Sequence, residues 1–99
     1  MVRSIDIHDI PVAEWGELPK SLIGQVVDVE ILCVHPFGVG VRVVAADSYG
    51  HVNAPHVTDG LFTVEEASKE IGSQQKAVVL AAPVGWQPTL SLRQSEIPS

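Results

Sequence analysis

The order of apolar and polar positions between residues 24 and 53 predicts three strands. After Gly24, Val26, Val27, Val29 and Ile31 are interleaved with Asp28, Glu30 and Leu32, close to the period of two of a half-buried strand. The run reaches Val34 and meets His35-Pro36. Proline has no N–H for the ladder and marks a strand end or a bulge. Phe37-Gly38-Val39-Gly40-Val41-Arg42-Val43-Val44 predicts a second strand, with two glycines near its start that signal a bulge, a bend or a close backbone approach. Asp47-Ser48-Tyr49-Gly50 has turn composition, and Gly50-His51-Val52-Asn53 predicts a short third strand that stops at Ala54-Pro55. Short turns between three successive strands imply an antiparallel meander.

Beyond residue 58 the pattern changes. Thr63-Val64-Glu65-Glu66-Ala67-Ser68-Lys69-Glu70-Ile71-Gly72 predicts a short helix, with Thr63 as N-cap, Glu66 as its capping-box partner and Gly72 as the stop. Lys76–Ala82 predicts a fourth strand ended by Pro83. Val84–Pro88 is a loop, and Thr89-Leu90-Ser91-Leu92-Arg93 alternates as a fifth strand. Three strands, a helix and two strands form the plan of an all-β, five-stranded antiparallel Greek-key barrel, the OB-fold, with its helix between strands three and four. Residues 1–20 form an extension before the barrel of residues 21–93, and the polar residues 94–99 form a flexible tail. Within the extension, Pro11 opens a turn of helix, and Ile10, Val12, Trp15 and Leu18 are placed to cap an open end of the barrel.

Composition narrows the function. The 99 residues are 45% hydrophobic and 18% charged, which excludes a disordered chain, and they carry a net charge of −6, which excludes a polybasic nucleic-acid arm. The single cysteine, Cys33, forms no intrachain disulfide, so a reducing compartment is expected. Apolar runs such as Ile31–Val34 fall far short of the ~20 residues of a membrane span. Charge interrupts the first nine residues, so no secretory leader is expected there and the expected location is cytoplasmic.

Four segments taken together resemble the S1-type RNA-binding domain: Gly24-Gln25-Val26-Val27, Phe37-Gly38-Val39-Gly40-Val41, Gly50-His51-Val52-Asn53 and Leu90-Ser91-Leu92-Arg93, with Ile71-Gly72 between the last two. The resemblance spans roughly residues 22–93. It implies an OB-fold whose RNA surface uses two aromatics on strand two, a histidine on strand three, and an acid and a base around strands four and five. Phe37 matches the first aromatic. Gly40 stands at the second, Asn53 at the histidine, Pro83 near the acid and Gln87 near the base. Asn53 retains hydrogen-bonding capacity toward a base.

The candidate nucleic-acid-binding residues are therefore Phe37, Arg42, His51, Asn53, Trp86 and Gln87. Phe37 is either a stacking platform or a core residue beside a glycine bulge. Trp86, in the loop between strands four and five, either meets a ligand or closes the barrel end. Arg42 is the sole base between residues 21 and 68, positioned either for a phosphate or for an acid on a neighbouring strand. Residues 33–57 are neutral rather than basic, so phosphate neutralisation contributes little and any RNA binding is led by stacking.

Other chemistries find weaker support. Cys33 and His35 fall on one strand face, but closely paired zinc ligands with a matching second pair are missing, so no metal or other cofactor is expected. No nucleophile has a base and an orienting acid around it, and an enzyme is not expected. The competing function is a protein-interaction domain, a repurposed barrel whose acidic surface suits a basic partner, with Trp15, Tyr49, Phe62 and Trp86 as anchors. Exposed tryptophans would favour that reading, and an exposed Phe37 beside Arg42 would favour RNA.

Overall fold

The computed structural model describes residues 7, 10–46, 48–83 and 86–97. Its strands are β1 (Val26–His35), β2 (Gly38–Val43), β3 (Ser48–Asn53), β4 (Gln74–Ala81) and β5 (Thr89–Ser91), with one helix, α1 (Val64–Ser68), between β3 and β4. The strands close into a barrel in the order β1-β2-β3-β5-β4. Val29, Ile31, Val39, Val41, Val43, Val52, Ala77, Val79 and Leu90 fill its interior, all at most 2% exposed. Alternation therefore did its expected work: on β2 the three valines point inward while Gly40 and Arg42 point outward.

One expectation is corrected. β1 pairs antiparallel with β2 and β4, β2 with β3, and β4 with β5, but β3 and β5 run parallel, meeting at His51 and Thr89. The reason is parity. Strand direction cannot alternate all the way round a closed ring of five, so one adjacent pair must be parallel. β1 serves both sides of the closure, giving residues 26–30 to β4 and residues 29–35 to β2. A bulge between Ile31 and Cys33 supplies the bend.

Element ends also moved. The predicted turn at residues 47–50 is displaced toward the N-terminus: Val44–Ala46 turn, Tyr49 and Gly50 already belong to β3, and Asp47 lies outside the described residues. The helix begins as predicted, with Thr63 Oγ1 accepting from the Glu66 N–H at 3.2 Å, but it ends at Ser68. Its last turn tightens into bonds of shorter span, Glu70 N–H to Ala67 O at 3.0 Å and Ile71 N–H to Ser68 O at 3.3 Å. Gly72, at φ +90°, then reverses the chain and donates to Ile31 O. Residues 84–85 of the predicted loop lie outside the described residues, and β5 leaves the ladder after Ser91 as the Leu92 N–H turns to His56 O.

The N-terminal residues do not cap the barrel end as a unit. Val12–Glu14 forms a 3-10 turn closed on Pro11, and Leu18 joins the barrel core. Trp15, 1% exposed, lies instead against the outside of the sheet with Ile7, Ile10, Leu32, Cys33 and Tyr49. Two hydrogen bonds of 2.9 Å fix it there: Tyr49 N–H donates to Trp15 O, and Trp15 Nε1–H donates to Ile10 O. No helix among the described residues is long and apolar enough to cross a membrane.

Candidate nucleic-acid interface

The register of β1, β2 and β3 arranges the outer face in three rows. The first contains His35, Gly38 and Asn53, the second Cys33, Gly40 and His51, and the third Glu30, Arg42 and Tyr49. Phe37 stands at the head of the first row, in the tight turn Pro36-Phe37 that joins β1 to β2. Its carbonyl accepts from the Ala54 N–H at 2.9 Å, which pins the turn to the end of β3.

That turn closes down because residue 38 is glycine. A Cβ there would lie 2.1 Å from Val52 O and 2.9 Å from His51 Nε2. Without one, the His51 ring folds over the strand beside Phe37. The ring centroids of His35 and Phe37 are 4.9 Å apart with planes 3° apart, and those of Phe37 and His51 are 5.7 Å apart at 29°. These are offset-stacking distances. The phenyl ring that packs against these two imidazoles is still 54% exposed. A large apolar ring half open to solvent is a surface on which a base can stack.

The predicted residues divide. Phe37 and His51 come together, and Asn53 is exposed directly across from Gly38. His51 itself is 5% exposed, so it backs the phenyl ring rather than offering a free edge. Arg42 is not beside Phe37. It lies in the third row, its Nε 3.3 Å from Glu30 Oε1 on β1. Trp86 is 66% exposed and lines a separate cleft of about 750 Å3 with Ala13, Gly16, Pro19, Pro83 and Pro88. Gln87, half-buried, follows it, and among the described residues no ring contact joins Trp86 to Phe37. His35, which stacks with Phe37, was not among the predicted residues, although its placement with Cys33 on one face was legible.

The second row is covered. A Cβ on Gly40 would lie 2.5 Å from Cys33 Sγ and 2.7 Å from Ile7 Cγ1. The side chain of Ile7 therefore occupies the space over β2 where residue 40 would project.

Elsewhere, the barrel end beyond β5 is tied by charge. Asp59 receives the Ser95 hydroxyl and amide and the Arg93 guanidinium, and Glu96 lies 2.9 Å from His56 Nδ1. The Ser95 hydrogen bond, opposed by desolvation, holds the Asp59 carboxyl below its ordinary value, and the His56 contact does the same for Glu96. This cluster draws residues 93–96 onto the 54–59 segment and takes no part in the ring stack.

No protein-family model matches the chain, and no curated protein matches it in sequence. Solved structures do. A chain of the a/eIF2alpha–aDim2p–rRNA complex from Pyrococcus horikoshii OT3 superposes with a TM-score of 0.66 at 19% identity, over 81% of this chain and 49% of that one. A multidomain protein with nucleic acid binding domains from Streptococcus pneumoniae TIGR4 gives 0.64 at 13% identity, over 89% and 28%. The apo form of Mycoplasma genitalium RNase R gives 0.57 at 18% identity, over 73% and 13%. The chain spans half or less of each of these. The five-stranded barrel is thus one that nucleic-acid-binding proteins also contain, at identities that establish the fold alone.

Proposed function

We propose that the chain is a non-catalytic module that binds single-stranded RNA on the outer face of an S1-like barrel, at the end headed by Phe37. One observation carries the reading: a half-exposed phenyl ring, packed against the imidazoles of His35 and His51, stands on a barrel of the kind found in nucleic-acid-binding proteins. Asn53, exposed beside it, supplies amide donors and an acceptor for a base edge. The resemblance to S1-type domains assigns Phe37 the same part, while Gly40, Asn53, Pro83 and Gln87 stand where that family has its other contacts.

Affinity in this arrangement comes from stacking. Arg42 is engaged by Glu30 and the chain is acidic, so few phosphates are neutralised. With one or two phosphate contacts, the slope of log K against log salt is shallower than about −1.5. The expected dissociation constant is micromolar or weaker. Fluorescence anisotropy with short single-stranded RNA tests this. Phe37→Ala weakens binding ~5–100-fold if one base stacks on the ring, and unchanged affinity in a folded variant contradicts the assignment. The protein-partner reading loses one of its anchors, because Trp15 is buried; an RNA titration without response would return attention to Trp86.

A further inference from the structure

A cleft of about 500 Å3 opens between α1 and the 57–63 segment, and neither Phe37 nor Asn53 lines it. Val57, Phe62 and Ala67 form its apolar wall, half-buried against the barrel core, and Leu61 stands at its rim 88% exposed. The charged side chains that line it are Asp59, Glu66 and Glu70, and no Lys, Arg or His lines it among the described residues. Arg93 engages Asp59 at 3.2 Å, and the exposed Lys69 reaches Glu66 at 3.2 Å. Glu70 receives the Ser73 hydroxyl and the Gln75 side-chain amide, neutral donors that leave its charge in place.

The geometry points to a docking groove for a basic peptide segment of a partner protein, with apolar side chains set between its lysines or arginines. The apolar wall and Leu61 supply area to remove from water, and the carboxylates select the sign of the partner's charge. RNA is the wrong occupant, because its phosphates would face Asp59, Glu66 and Glu70. A small cation within the cleft would leave Leu61 bare. An extended peptide covers both: its side chains alternate, so apolar ones meet Leu61 and Phe62 while basic ones turn toward Glu66 and Glu70. This groove is separate from Phe37, and the two readings stand or fall independently.

Fluorescein-labelled heptapeptides titrated against the full chain test it by anisotropy. One alternates leucine and lysine, the second leucine and glutamate, the third serine and lysine. The leucine–lysine peptide should bind ~10-fold or more tightly than either of the others, since each control lacks one of the two attractions. Leu61→Ser, at an exposed position that folding does not need, should weaken it ~5-fold or more. The Glu66→Gln, Glu70→Gln double variant should weaken it ~3–10-fold, as two partly exposed ion pairs would. Glu14→Gln with Glu17→Gln removes the same charge from exposed positions outside the cleft, and should change affinity by less than ~2-fold once salt screens it. Phe37→Ala should leave the peptide affinity unchanged. Equal binding of the serine–lysine peptide, or equal losses from the two glutamate pairs, would mean attraction to net charge alone and would overturn the inference. Absence of binding at ~1 mM peptide, an affinity worth only about −4 kcal/mol, would overturn it as well.

Discussion

The first and second rows of the outer face are built from the same three strands, and they have opposite fates. At the head of the first row Phe37 is 54% exposed, its ring stacked with His35 of that row and lying against His51 of the second. At the second, Gly40 and Cys33 lie under Ile7 and Trp15, which are 0% and 1% exposed. Nothing in β1–β3 alone separates them. Among the described residues, the difference is made by Ile7 and Trp15, which pack over the Gly40–Cys33 row. Exposure on a sheet face is thus a decision of the chain packed against it, and the two rows should respond differently to every perturbation.

The largest expected effect breaks the covered row. Trp15→Ala removes a fully enclosed indole and its hydrogen bond to Ile10 O, and should cost ~3–5 kcal/mol in chemical denaturation. Trp86→Ala, at a 66% exposed position, should stay within ~0.5 kcal/mol of the unmodified chain. Equal losses for the two tryptophans would contradict the packing described. Next in size, Gly40→Val forces a branched side chain into space held by Cys33 and Ile7, and should cost ~1–3 kcal/mol by overpacking. The same assay applied to a Cys33→Ala, Gly40→Val double variant sharpens the point, since relieving one neighbour should recover part of the loss.

On the open row the expected pattern is inverted. Phe37→Ala should change stability little and binding strongly, so denaturation and anisotropy on one preparation distinguish a platform from a core residue. The smallest effect lies away from the face. Asp59 and Glu96 are both held below their ordinary values, so their contribution to stability is present above about pH 4 and is lost as pH falls through their folded-state values. Urea midpoints measured downward from pH 5 should fall less steeply in Glu96→Gln than in the unmodified chain, and parallel curves would contradict the His56–Glu96 contact.

Local chemistry made much of this legible. Valine alternation located β1 and β2, an apolar run ended by Pro83 located β4, and Thr63 marked the start of α1, because strand patterns and a helix cap are written in adjacent residues. Parallel pairing of β3 with β5 was not read, although closure of five strands requires one such pair. The position of Trp15 was not legible either: Ile10, Trp15 and Leu18 announce an apolar surface without saying what it meets, and Leu18 went to the core while Trp15 went outside. Within the site, Phe37 and His51 were found singly. Their union with His35 depends on a register shifted by the bulge after Ile31 and on the close approach that Gly38 permits. Arg42 was placed correctly on the outer face, but its neighbour there is Glu30 rather than Phe37.

The Phe37 end of the outer face is the proposed binding surface for single-stranded RNA. A backbone-amide NMR titration with a short single-stranded RNA at low salt tests it most directly. The expected shifts concentrate at His35, Phe37, His51 and Asn53 and fade before Arg42 and Tyr49. Shifts centred on Trp86 and the 13–19 segment, or none at all, would contradict it.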